Sequence, residues 1–304
     1  MIAFSTSWNC ARHTAGEKMV REIKNRLGFD LIELGHGVRL SLMPGVQKAV
    51  DAGEVRISSL HNFCPLPVEA LMASPDCYTF SSSSAPERGR AMKQTLQTID
   101  FAARLGAGVV VLHLGKVGMK PVTEPLIALA KGGKLFSREY VRRKVEAVAA
   151  RESLSESFLA PVRACLKPII EHAAAKNVRL GIENRRGYEE IPSEREILPL
   201  LDEIDSPQVA YWHDFGHLQV KENLGFADHT EWLRTIGPRT AGCHVQDCAW
   251  PAQDHQVPFL GGVDWEKLVP LLPPTCLLVW EMSQHQTVEE IRRSVVTWKE
   301  RFGA

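Results

Sequence analysis

The sequence predicts an α/β protein of the TIM-type (β/α)₈ barrel class, as one domain spanning residues 1–304. Three observations predict it. Eight short apolar runs alternate with helical stretches, which is the pattern of a parallel sheet with crossover helices. Eight strands favour closure, because an open doubly wound sheet usually stops earlier. Most of the runs also end in an acidic or imidazole side chain, and that fold gathers its chemistry at the C-terminal ends of its strands.

Taken in order, Ile2–Trp8 reads as the first strand, followed by a helix from about Gly16 to Leu27. Phe29–Leu34 is the second, ending near Glu33 and His36. Val55–Leu60 is the third and runs into His61. A helix from Glu87 to Leu105 leads to the unbroken apolar fourth strand, Val109–Leu114, which contains His113. Val178–Glu183, the fifth, opens onto Asn184 and the arginines that follow. The sixth begins at Val209, after the turn-forming Asp205-Ser-Pro207, and finishes in His213, Asp214 and His217. Ala241–Val245 leads to Asp247, and Leu277–Glu281 is the last. Further helices are expected over Lys167–Lys176, Arg195–Ile204, Thr230–Thr235 and Thr287–Phe302.

The connection between the fourth and fifth strands is far longer than a usual loop. It forms an insertion over about 115–165. Two helices are expected in it, one near Ser137–Arg151 and a second opening at the capping-box pattern Ser153-Leu-Ser-Glu156. From Lys116 to Arg151 there are nine basic residues against three acidic ones, so a solvated face or a site for an anionic group is expected there. The insertion would lie over the catalytic face, as a lid or a dimer arm.

Composition excludes several classes. Hydrophobic residues make up 44% and charged residues 24%, ordinary for a globular protein. The start lacks a basic segment followed by an apolar one, and no run reaches the roughly 20 apolar residues of a spanning helix, so no membrane association and a cytoplasmic location are expected. Zero formal charge removes a general electrostatic drive toward nucleic acid. The seven cysteines are scattered without a C-x-x-C pair and read as reduced. A homo-oligomer is left open.

His61, His113, Glu183, Asp214, His244 and Glu281 all fall at or beside strand ends. Each alone has an ordinary explanation, Asp214 as a helix cap or His61 as a satisfied core histidine, but the recurrence asks for one cause. Glu183, Asp214, His244 and Glu281 supply three carboxylates and one imidazole, an oxygen-rich set suited to a divalent cation such as Mn²⁺, Co²⁺, Mg²⁺ or Zn²⁺. A cation holding two adjacent oxygens of a hydroxy-ketone acidifies the carbon between them. Glu183 and Glu281, from the fifth and eighth strands, are the candidates for removing and returning that proton. His217, His61, His113, Arg185 and Asp247 are the candidates for substrate contact.

The motifs Gly181-Ile-Glu-Asn184, Asp214-Phe-Gly-His217, His244-Val-Gln-Asp247, Pro258-Phe-Leu-Gly-Gly-Val-Asp-Trp265 and Val279-Trp-Glu281 resemble those of the xylose isomerase-like barrels. That family includes sugar epimerases, hydroxypyruvate isomerases, inositol-catabolism enzymes and endonuclease IV. The resemblance implies Glu183, Asp214, His244 and Glu281 as metal ligands, Glu183 and Glu281 as the acid/base pair, and His217 as a substrate contact or further ligand. His61 and His113 match histidines that the endonuclease uses for additional zinc ions. The endonuclease's Asp-x-His pair appears here only as adjacent Asp254-His255. The expected function is metal-dependent isomerisation or epimerisation of a ketose or related hydroxy-carbonyl sugar, phosphorylated or not. The alternatives are a zinc phosphodiesterase acting on abasic DNA, a lyase or hydrolase on an oxidised sugar, and a sugar-binding barrel without turnover.

Overall fold

The computed structural model describes residues 1–303. All eight expected strands form: β1 (Ile2–Ser5), β2 (Leu31–Leu34), β3 (Arg56–His61), β4 (Val109–Leu112), β5 (Arg179–Glu183), β6 (Val209–Asp214), β7 (Thr240–Val245) and β8 (Leu277–Trp280). They close into one barrel in which every neighbour is parallel and β8 pairs with β1. The first and fourth strands stop short of the expected Trp8 and Leu114. The chain turns into a 3₁₀ segment over Thr6–Trp8, where Ser5 Oγ accepts the Ser7 N–H and ends the ladder.

Side-chain alternation along each strand divides the buried residues into two layers. Phe4, Ile32, Leu60, Val110, Leu180, Ile182, Tyr211, Val245 and Trp280 join the main core between barrel and helices. Ala3, Leu31, Val109, Val111, Trp212, Leu277 and Val279 form a separate cluster inside the barrel. Trp212 fills that interior because its neighbours on either side are glycines. A Cβ on Gly181 would lie 3.0 Å from the indole and one on Gly242 only 2.3 Å from it. Two residues beyond Leu31, Ser59, Val111, Gly181, Trp212, Gly242 and Val279, on the same face, come Glu33, His61, His113, Glu183, Asp214, His244 and Glu281.

The helices are α1 (Gly16–Glu22), α2 (Met43–Asp51), α3 (Ala85–Leu105), α4 (Thr123–Lys131), α5 (Arg138–Ala175), α6 (Glu194–Ile204), α7 (Phe215–Asn223), α8 (His229–Ile236), α9 (Trp265–Leu268) and α10 (Val288–Phe302). None is long and apolar enough to cross a membrane. In the insertion the two helices expected near Ser137–Arg151 and from Ser153 are one: α5, of 38 residues, which also absorbs the segment expected over Lys167–Lys176, while α4 is not among the helices expected. Ser153 caps nothing, since its hydroxyl donates back to the Ala150 carbonyl at 2.9 Å inside the helix. The true N-cap is Ser137, which accepts the Tyr140 N–H. Buried Arg151 ties α5 to the barrel, pairing with Glu196 at 2.6 Å and donating to the Glu190 carbonyl at 2.9 Å.

Candidate metal and substrate site

The seven polar residues of the inner face converge above Trp212, and His244 lies at their centre. Its Nδ1 is 3.1 Å from Glu183 Oε1, 3.3 Å from Glu281 Oε2 and 3.6 Å from Asp214 Oδ2. Its Nε2 faces Glu33 at 3.2 and 3.3 Å. On the far side of Glu183, Oε2 meets His113 Nε2 at 2.9 Å and His61 Nε2 at 3.1 Å. All of these side chains are buried.

Asp214 does two jobs that the sequence presented as alternatives. Oδ1 accepts the His217 N–H at 2.7 Å and caps α7, while Oδ2 turns to the cluster and accepts from Gln246 at 2.7 Å. Asn184 locks the neighbouring backbone by accepting the Asp214 N–H and donating to the Asp214 carbonyl. The cap carries His217 into the site, its Nδ1 3.5 Å from Glu183 Oε1 and 3.6 Å from Asp214 Oδ2.

This donor set fits a divalent cation. A single ring N–H cannot donate to three carboxylates, yet Glu183, Asp214 and Glu281 all crowd one nitrogen of His244. Ligand atoms about 2.1 Å from an ion lie roughly 3 Å apart when adjacent in its coordination shell, close to the observed spacings. Glu183, Asp214 and His244 offer donors within 4.8 Å of one another, as do Glu33, His244 and Glu281 and, separately, His61, His113 and Glu183.

The electrostatics follow from the same crowding. Burial alone would lower the His113 pKa, and Arg185 acts the same way, but Glu183 and Asp76 outweigh both and raise it to about 9. His244 is likewise raised against its burial, by Glu281, Glu33 and Glu183. Glu183, despite burial, is held well below the usual carboxylate range by His244 and His113, and Glu281 by His244 and His255. His36 goes the other way, pushed down to about 3 by burial and by neighbouring His61.

Two residues expected to touch substrate have their polar atoms engaged elsewhere. Arg185 is buried and donates to both oxygens of Asp76 at 3.1 and 2.7 Å and to Glu190, and Asp76 in turn reaches His113 at 3.4 Å. This pins the loop after β3 over the site. Asp247 accepts from the N–H groups of Cys248, Phe259 and Val263 and from Trp265 Nε1, so it shapes the loop after β7.

Other residues join the site without having been assigned a part in it. Glu33 occupies the same inward register as the other strand-end acids, a signal present in the sequence. His255 reaches Glu281 Oε2 at 3.7 Å from a backbone with φ of 55°, and its only sequence signal is the adjacent Asp254-His255 pair. Ser7 donates to Glu281 Oε1 at 3.1 Å across the closing seam of the barrel. His36 Nδ1 is buried without a hydrogen-bond partner.

The fold and this cluster define a parallel barrel with a buried, cation-competent centre at the C-terminal ends of its strands. The sequence profile of the xylose isomerase-like TIM barrel family matches residues 22–295, and the chain belongs to that family. Among curated proteins none matches the sequence. A D-tagatose 3-epimerase-like protein is similar in structure with a TM-score of 0.69 at 17% identity, over 99% of this chain and 97% of that one. A putative xylose isomerase from Rhodospirillum rubrum gives 0.73 at 15%, over 98% of each chain. The IolI protein with a bound zinc atom gives 0.68 at 11%, over 100% of this chain and 99% of that one. At these identities the likeness is one of fold.

Proposed function

We propose that this protein is a metal-dependent isomerase or epimerase of a ketose or related hydroxy-carbonyl sugar. The observation that carries the reading is the grouping of Glu183, Asp214 and Glu281 around one nitrogen of His244, with two of those carboxylates available as proton carriers. Glu183, Asp214, His244 and Glu281 would hold the cation. When bound, it would polarise neighbouring carbonyl and hydroxyl oxygens and acidify the C–H between them.

The remaining work falls to the chain itself. Glu281 and Glu183 are both held well below the usual carboxylate range, so either can take a proton from carbon; it can return that proton to a neighbouring carbon, or the opposite carboxylate can deliver to the other face a proton it has taken from solvent. Ser7 holds Glu281 Oε1 and fixes the rotamer from which it would act. His217 and His36 present imidazoles to the substrate hydroxyls, and His36, kept neutral by burial, can accept as well as donate. Arg185 and Asp76 would keep the loop after β3 closed against water. The family membership and the structural likeness to an epimerase-like protein and a putative xylose isomerase support the choice of substrate class.

One observation favours a second reading. His61 and His113 meet the other carboxylate oxygen of Glu183, Oε2, forming another cation-competent group. Occupied together, the two groups would suit a phosphodiesterase of the endonuclease IV kind.

The metal-loaded protein is expected to move solvent deuterium into a ketose at the carbon beside the carbonyl, and Glu281→Gln to abolish that exchange. No incorporation across a broad ketose panel overturns the isomerase reading. Two or three zinc ions per chain by elemental mass spectrometry, with cleavage of an abasic oligonucleotide, would favour the second.

A further inference from the structure

The N-terminal half of α5 leaves one of its faces without a partner. Tyr140, Ala147 and Arg151 are buried against the barrel side. Opposite them Arg138, Val141, Arg142, Val145, Ala149, Glu152 and Glu156 are exposed, at spacings of three and four that place them along one helical stripe. Val145 is 62% exposed and Val141 47%, so the stripe carries apolar side chains in contact with solvent. A groove of about 530 Å³ runs beside it between Phe136, Tyr140, Val148 and Glu152.

The order of residues on this stripe says what covers it. Reflected about position 147, Arg138 falls on Glu156, Arg142 on Glu152 and Val145 on Ala149. The stripe is basic at one end, apolar in the middle and acidic at the other. Laid antiparallel on a copy of itself, it sets both arginines of each chain against both glutamates of the other, with valine against alanine at the centre. A two-fold interface requires this self-complementarity. Within one chain two of these charges are only loosely engaged, Arg142 lying 3.8 Å from Glu146 and exposed Glu152 facing exposed Arg195 at 3.2 Å, whereas Glu156 pairs with Arg163 at 2.6 Å. Exposed pairs of that kind hold little energy and are free to be shared.

We propose that the α5 stripe from Arg138 to Glu156 is a homodimer interface in which two copies pair antiparallel about a two-fold axis on the exposed side of the helix, level with position 147. The stretch extends roughly 27 Å at 1.5 Å per residue, a small interface, and the dimer is reversible. Arg151 on the inner side of α5 holds the Tyr188 and Glu190 carbonyls, so the paired helices brace the segment that positions Arg185.

Sedimentation equilibrium of the full chain over a wide concentration range tests this. The wild type is expected to dimerise, and Val145→Asp to remain monomeric with an unchanged circular dichroism spectrum. Arg142→Glu is expected to raise the dissociation constant about tenfold or more, and Arg142→Glu combined with Glu152→Arg to bring it back to within roughly threefold of wild type. A wild type that stays monomeric, a dimer indifferent to Val145→Asp and Arg142→Glu, or a double reversal that fails to restore pairing would each overturn the interface.

Discussion

Glu33 and His244 are 211 positions apart in the chain, yet their side chains face each other at 3.2 Å inside the barrel. Ser59 donates to the same carboxylate at 2.8 Å, so Glu33 is held in place while it holds the imidazole. The far nitrogen of His244 is thereby fixed toward Glu183, Asp214 and Glu281.

If the proposed cation binds at the His244 Nδ1 centre, Glu33 would set its affinity by holding the imidazole rather than as a ligand there. Glu33→Gln keeps the shape and removes the charge that favours one ring orientation. Metal affinity is expected to fall about 10- to 100-fold, the usual cost of losing a carboxylate behind a histidine ligand. Chelator competition measures it, and an unchanged affinity would show that His244 is oriented by packing alone.

Asp76→Ala is expected to loosen the loop after β3 rather than the barrel. It removes the carboxylate shared by Arg185 and His113 but leaves Arg185 paired with Glu190. Hydrogen–deuterium exchange should rise over Ser74–Ser82 with the barrel strands unchanged. Exchange that rises throughout the chain would mean the ion pair supports the fold itself.

Gly242→Ala is expected to destabilise the protein by about 1–3 kcal/mol, because the new Cβ would overlap the Trp212 ring. Combining it with Trp212→Leu should cost less than the two single changes added together, since the smaller side chain makes room. Denaturant unfolding of the four proteins gives the coupling directly, and simple additivity would refute the contact.

Acid sensitivity has an identifiable source on α1. Burial alone would raise the Glu22 pKa, but His13, Asn9 and Arg12 outweigh it and bring the carboxyl to about 2. Its folded value lies below the ordinary 4.5, so its contribution is present above pH 4.5 and is lost as pH falls from there through 2. Glu22→Gln should therefore cost about 1–2 kcal/mol at pH 7, after allowance for screening, and nothing below pH 2. Stability curves that stay parallel across this window would assign the acid sensitivity elsewhere.

Both the strands and the residues at their ends could be read before the fold was known. Short apolar runs mark each strand, and the alternation of side chains along a strand carries Glu183, Asp214, His244 and Glu281 to the inner face two positions after Gly181, Trp212, Gly242 and Val279. The errors arose where local signals had more than one solution. Ser153-Leu-Ser-Glu156 has the residues of a cap, but a helix already running through it satisfies the Ser153 hydroxyl on its own backbone.

What the sequence by itself determined is the number, order and facing of the strands, because hydrophobic periodicity is a local property of the chain. Only the tertiary structure decided which polar groups meet. Glu33 turns to His244, His255 reaches Glu281, and the side chains of Arg185 and Asp247 are taken up by loop contacts. A buried charge takes whatever partner the closed barrel brings within reach, and sequence distance says nothing about that.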